Sequence, residues 1–187
     1  MRIEIMLSGF GGQGIVLSGA VLAQATVLSN YFAASTYTYG PEARLGSTRS
    51  EVVISDEEID YPKVISPDFW VVMNQDSLNR FSKRYDISKT VIIADSSMIK
   101  YFDPVEGKAR LIFKVPATDE AENLGHRIVA NMFMLGVLTE AIEIIPLKNL
   151  EEAIRMLVKP QFIDLNIKAA RRGREVGKEL VKLIKGL

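Results

Sequence analysis

Near the start of the chain, Gly9-Phe10-Gly11-Gly12-Gln13-Gly14 has the residue types and spacing to hold an anion. The run follows a short apolar stretch, Ile3 to Leu7, and precedes a helix-like stretch, Ile15 to Leu28. Strand, glycine turn and helix in that order bring backbone N–H groups close to a charged group at a helix N-terminus. Gly9, Gly11 and Gly14 also satisfy G-x-G-x-x-G, the dinucleotide fingerprint. That fingerprint needs a carboxylate about 20 residues onward, at the end of the second strand, for the ribose hydroxyls. The second strand is expected over Tyr31 to Ser35, and the first acid after the glycines is Glu42. The turn therefore speaks against NAD and leaves two readings, a structural turn or another phosphate-bearing ligand.

A second stretch with chemical potential runs from Tyr37 to Ser50. Around the Gly40-Pro41 break it gathers Tyr37, Tyr39, Glu42, Arg44 and Arg49 among Ser and Thr hydroxyls. Guanidiniums beside hydroxyls on a loop suit a phosphate or carboxylate through fork-like hydrogen bonds. Alternatively, Glu42 and Arg44 pair with each other or with a neighbour. His126 is the only histidine. Without a Ser or Cys nucleophile motif beside it, a surface or capping role is expected rather than a general base. Asn131 and Gly136 are expected to serve helix packing. The run Asp56, Glu57, Glu58, Asp60 lacks calcium-loop spacing and is expected to be a surface turn. Lys168, Arg171, Arg172, Arg174, Lys178, Lys182 and Lys185 are expected to form a solvated face, with no groove-reading or aromatic residues to suggest nucleic acid.

Composition removes several function classes. Lys plus Arg and Asp plus Glu each total 23, so net charge offers nothing to nucleic acid or acidic lipid. The absence of cysteine excludes disulfides, a cysteine nucleophile and a cysteine-held iron–sulfur cluster or zinc ribbon on this chain. No catalytic or metal-binding residue is assigned. Met1-Arg2-Ile3-Glu4 leads directly into a strand, and no run of about 20 apolar residues suggests a membrane span. A cytoplasmic protein with no membrane or nucleic-acid partner is expected.

The elements that must position these residues follow from periodicity and turn signals. Strands are expected at 4–8, 31–35, 48–55, 69–73, 90–94 and 110–115. Helices are expected at 14–29, 75–82, 119–142, 150–159 and 163–185, the fourth starting at Asn149 with Glu152 three residues on. This predicts an α/β fold with a three-layer-like arrangement, a central largely parallel sheet and a helical C-terminal portion. One domain over residues 1–187 is expected, with sheet in about 1–115 and mostly helix in about 116–187.

Residues Ile5 through Pro41 contain no Asp, Glu, Lys or Arg. The first helix is small or apolar all round, so it lacks the polar face of a surface helix. A partner chain over Val21 and Ala25 is the expected cover, with burial inside the domain as the alternative.

Taken together, Gly9 to Leu17, Tyr39-Gly40-Pro41-Glu42-Ala43-Arg44 and Ser47 to Ser55 resemble a known family. They look like the gamma subunit, or domain III equivalent, of 2-oxoacid:ferredoxin oxidoreductases, closest to the separate gamma chain of four-subunit 2-oxoglutarate enzymes. Asp60-Tyr61-Pro62, Pro67-Asp68 and the Asn131 to Gly136 helix continue the likeness. One departure stands out: the family usually has Arg-Gly-Gly where this chain reads Arg44-Leu45-Gly46.

The resemblance implies an assembly that decarboxylates a 2-oxoacid with thiamine diphosphate and Mg²⁺, reduces ferredoxin through iron–sulfur clusters and releases an acyl-CoA. This chain, lacking Gly-Asp-Gly followed by Asn as well as cysteine, is expected to bind none of these cofactors and to be inactive alone. It would shape the complex with alpha, beta and delta subunits, self-associate when isolated, and help enclose CoA. Gly11, Gly12, Gln13, Gly14, Tyr39, Glu42, Arg44 and Arg49 are the CoA-proximal or subunit-contact residues on this reading. A small nucleotide-binding protein, or the gamma subunit of a pyruvate, branched-chain 2-oxoacid or indolepyruvate enzyme, is the alternative.

Overall fold

Alternation along the first strand decides the layering. In β1 (Arg2–Phe10), Ile5 and Leu7 enter one hydrophobic cluster and Met6 enters another, all of them buried. A strand buried on both faces must lie inside a sheet with covering on either side. The computed structural model describes residues 1–39 and 47–186. Among them the sheet has six strands: β1, β2 (Phe32–Thr38), β3 (Ser47–Ser55), β4 (Phe69–Val72), β5 (Val91–Asp95) and β6 (Leu111–Val115). Their order across the sheet is β2-β3-β1-β4-β5-β6. The pairs β1–β4, β4–β5 and β5–β6 are parallel, while β3 is antiparallel to both β1 and β2. Only β3 runs against the rest. The largely parallel α/β sheet expected from the sequence is therefore present.

One face is covered by α1 (Ile15–Leu28), α4 (Ala130–Ile142), α5 (Leu147–Leu157) and α6 (Ile163–Lys185), packed on Leu7, Val52, Val71 and Ile93. The other carries α2 (Gln75–Phe81) and the segment 87–105 over Met6, Trp70, Val72 and Ile92. On that second face the indole N–H of Trp70 donates to Ser8 Oγ at 2.8 Å, which satisfies a buried donor between central strands. No described helix is long and apolar enough to cross a membrane.

Three expectations need correction. The helix expected over 119–142 is two helices, α3 (Ala117–Leu124) and α4, separated by a 3₁₀ turn at Arg127–Val129. Gly125 stops α3 at φ 132°, and His126 starts the turn in an extended conformation, its Nδ1 accepting the Ile128 N–H at 3.1 Å. Apolar periodicity continues through the break, which conceals it. The helix expected to start at Asn149 starts at Leu147 instead. The Asn149 amide donates to Leu28 O and Ser29 Oγ, both at 3.0 Å, and so ties α5 to the end of α1 rather than capping its own helix.

The third correction concerns α1. Val21, Leu22 and Ala25 are fully buried in the chain's own core, so internal burial, and not a partner, covers them. What remains outside is a stripe that includes Ala20 and Val27, the latter about half exposed.

The basic residues of α6 are also less simply solvated than expected. Arg171 bonds Glu151 of α5 at 2.6 Å, Arg172 bonds Glu120 of α3 at 2.9 Å, and Arg174 pairs with Glu140 of α4 at 2.6 Å. Lys185 reaches Glu143 at 2.7 Å. Arg171 holds the Glu151 carboxyl below the usual carboxylate range, and Arg172 does the same for Glu120. Partly exposed pairs of this kind contribute at most about 1 kcal/mol each. Their chief effect is to fix which helices α6 lies against.

Candidate functional site

From β1 the chain crosses to the β2 side of the sheet, and from β4 it crosses to β5 on the other side. The helices that follow, α1 and α2, lie on opposite faces. The carboxyl ends of β1 and β4 therefore flank a topological switch point, the position at which open α/β sheets form a crevice. The glycine turn occupies it.

Inside the turn, Gln13 is a latch. Its N–H donates to Phe10 O at 3.1 Å, and its side-chain Oε1 accepts from Phe10 N at 2.7 Å and from Asn74 Nδ2 at 3.0 Å. Its Nε2 donates to Met73 O at 3.1 Å. Both amide ends are thus engaged in joining the ends of β1 and β4. The same packing explains Gly9, where a Cβ would stand 2.6 Å from Gln13 Oε1. Asn74 is the second member of the latch, since its Oδ1 also caps α2 by accepting from Ser77 N at 2.8 Å.

The remaining glycines differ from one another. Gly14 adopts φ 73°, and a Cβ there would collide with the Asn131 amide, which donates to Gly14 O at 3.3 Å. Gly12 adopts φ 97° in open space. Gly11 lies outside the left-handed region, and the nearest atom to an added Cβ is Thr48 Oγ1 at 3.9 Å. Among the described residues, neither backbone angle nor packing demands a glycine at position 11.

Three hollows meet at Gly12. One of about 230 Å³ is bounded by Gly11, Val16, Leu17, Tyr39 and Thr48. A mostly apolar one of about 380 Å³ adds Ile128, Leu157 and Phe162. The third, about 230 Å³, reaches Met73, Thr118, His126 and Asn131. At the N-terminus of α1 no side chain caps the helix and no acid stands in the first turn. Its first N–H groups are suited to an anion.

Of the sequence candidates, Gly11, Gly12, Gly14 and Tyr39 share the first hollow, with Gln13 beneath it. Tyr39 is exposed and packs edge-on against Tyr37, centroids 5.6 Å apart. Arg49 stands apart, beside Glu51, Phe81 and Tyr85. Glu42, Arg44 and Leu45 lie outside the described residues. His126 caps a turn, as expected. Asp95 was not anticipated. It is buried at the carboxyl end of β5, and burial pushes its carboxyl up from the usual range. Thr118 Oγ1 donates to it at 2.6 Å and Ser97 N at 3.1 Å. It anchors the entry to α3. A lone Asp ending an apolar run is the only signal the sequence carries for it.

The model of the pyruvate ferredoxin/flavodoxin oxidoreductase family matches residues 4–176. The chain belongs to this family. It is 46% identical to a 2-oxoglutarate synthase subunit, KorC, of Methanothermobacter marburgensis, over 94% of this chain and 97% of that one. Against KorC of Methanocaldococcus jannaschii it is 43% identical, with 96% of each chain covered. Among solved structures, the gamma subunit of a keto/oxoacid ferredoxin oxidoreductase from Geobacter sulfurreducens superposes with a TM-score of 0.81 at 28% identity, covering 96% of this chain and 98% of that one.

In a member of this oxidoreductase family the glycines can be separated by substitution. Gly12→Val is expected to cost on the order of 1 kcal/mol or more in stability, because valine is strained at φ 97°. Gly11→Val is expected to leave the unfolding free energy, read by urea denaturation, within about 0.5 kcal/mol of wild type while impairing the assembled enzyme. Equal losses of stability in the two variants would show that position 11 serves backbone geometry alone.

Proposed function

We propose that this chain is the gamma subunit of a 2-oxoglutarate:ferredoxin oxidoreductase. The assembly oxidatively decarboxylates 2-oxoglutarate to an acyl-CoA and passes the electrons to ferredoxin. The observation that carries the reading is the nearly end-to-end likeness to 2-oxoglutarate synthase subunits, with 97% of one such relative covered. The whole chain acts as one domain on this reading, together with alpha, beta and delta subunits.

The chain's role in the assembly is to shape it and to help enclose CoA at the glycine turn. Support comes from Gly11, whose small size no constraint among the described residues requires, and from the uncapped start of α1 beside it. Thiamine diphosphate, Mg²⁺ and the clusters belong to other chains. The residues here do not fit them: cysteine is absent, and no group of three His, Asp or Glu side chains among the described residues could hold a metal ion.

Reconstitution tests the proposal. The purified chain, given 2-oxoglutarate, thiamine diphosphate, Mg²⁺ and CoA, is expected to reduce no ferredoxin. Adding it to the partner chains is expected to restore CoA-dependent ferredoxin reduction. Arg44→Ala is expected to raise the apparent KM for CoA with decarboxylation nearly unchanged. Activity of the chain alone, or full activity of the assembly without it, would refute the assignment. An unchanged CoA dependence with weakened assembly would place Arg44 at a subunit contact.

A further inference from the structure

The second face of the sheet is closed by α2 over Met6, Trp70 and Val72, but at the β2–β3 side it opens into a polar hollow of about 340 Å³. Arg49, Glu51, Lys63, Arg84 and Tyr85 line it. An adjoining recess shares Arg49 and Arg84 and extends to Tyr39.

The charges in this hollow do not balance. Glu51 is the one carboxylate among the described residues that line it, and it is engaged from three directions. The Tyr85 hydroxyl donates to its Oε1 at 2.6 Å, the Thr36 hydroxyl donates to its Oε2 at 3.2 Å, and Arg49 Nε stands 3.3 Å away. Glu51 thus offsets Arg49. Lys63 and Arg84 make no ion pair among the described residues, so the described lining carries an excess of two positive charges. Arg49 Nε is also buried without an acceptor at hydrogen-bonding geometry. Buried donors are seldom left so.

The cations are placed by anchored backbone rather than by chance. Arg2 Nη2 donates to Tyr61 O at 3.0 Å and to Lys63 O at 3.2 Å, while Glu4 Oε2 accepts from Ile65 N at 2.6 Å and Ser66 N at 3.0 Å. That pins the segment carrying Lys63. Arg49 lies opposite Ser8 on one side and Thr38 on the other within the sheet. Arg84 follows α2 on a turn closed by its N–H to Phe81 O at 3.0 Å. Three anchored backbone elements bring these cations to one space, and the rotamer freedom of the exposed Lys63 and Arg84 side chains is the ordering cost that binding must offset.

We infer that the hollow bounded by Arg49, Lys63 and Arg84 binds a phosphate group, either free or as the end of an organic phosphate. A phosphate near neutral pH approaches a dianion, which matches the excess of two charges, whereas a single carboxylate leaves one unmatched. It also accepts from several donors at once, as guanidinium forks require. Tyr37 and Tyr61, both more than half exposed, leave a rim on which an organic moiety can rest. This site does not depend on the gamma-subunit reading and stands or falls separately from it.

Calorimetric titration of the full chain at low ionic strength tests the site, with inorganic phosphate and phenyl phosphate as probes. Saturable one-site binding is expected, weakened about tenfold by Arg84→Ala and by Lys63→Ala. Lys168→Ala, on the exposed face of α6, serves as a control and is expected to change nothing. Tighter binding of phenyl phosphate assigns the site to organic phosphates, and equal binding assigns it to the free ion. Both truncated side chains are exposed and make no ion pair among the described residues, and circular dichroism checks that the fold survives. Absence of saturable binding by either probe would overturn the proposal. So would a loss in Lys168→Ala equal to that in Arg84→Ala.

Discussion

Gly173→Leu is expected to prevent this chain from folding. Gly173 of α6 lies against α4 so closely that an added Cβ would collide with the Phe133 carbonyl and stand 3.1 Å from Gly136 Cα. Gly136 is the reciprocal position, where a Cβ would strike the Ala170 carbonyl. The obstacles are backbone atoms of two helices, so no rotamer change relieves them. Overpacking in an ordinary core costs about 1–3 kcal/mol, and separating two helix backbones is expected to exceed that range. Even Gly173→Ala is expected to lower stability, although alanine is favoured over glycine in a helix interior by about 1 kcal/mol. Urea unfolding of the two variants measures both effects. An alanine variant as stable as wild type would show that the helices can separate at little cost.

Val21→Glu is expected to have the second-largest effect. Val21 is fully buried among the residues that α1 packs against the sheet and α5. A carboxylate there has no partner, so it must either be desolvated or be held neutral, at a cost of several kcal/mol. That is a large share of the roughly 5–15 kcal/mol by which domains are stable. The chain is expected to be unfolded or strongly destabilised near pH 7. Val27→Glu offers the contrast on the same helix, since Val27 is about half exposed. It is expected to remain folded and to weaken assembly if the uncharged stripe on α1 meets another subunit. Sedimentation of the reconstituted complex reads that loss. Normal assembly of Val27→Glu would show that this stripe faces solvent.

Most element positions were legible because hydrophobic period and turn residues are local. β3 was expected from Thr48 to Ser55 and spans Ser47–Ser55, while α6 was expected over 163–185 and spans Ile163–Lys185. The misses share a cause. Gly125 and His126 divide a helix whose apolar pattern runs on undisturbed, and only the backbone angles show the division. Asn149 has a capping residue's identity, but its amide finds better acceptors at the end of α1. A distant partner outcompeted the local one.

The sequence by itself determined the class of fold, the glycine turn between strand and helix, and the family, because each rests on short-range order along the chain. It could not say which face of α1 is enclosed. An uncharged helix reads the same whether its cover is its own sheet or another chain, and only packing decides. Nor could it distinguish four glycines of one motif. Gly9 yields room to Gln13, Gly14 to Asn131, and Gly12 adopts a left-handed angle, while Gly11 meets no constraint among the described residues. Those roles depend on groups that reach the turn from distant residues, the Met73 carbonyl and the Asn74 and Asn131 side chains. The sites likewise arise where anchored elements converge, as Lys63, Arg49 and Arg84 do in one hollow. Spacing along a chain carries no record of that convergence, because it is created by the long-range pairing of the sheet.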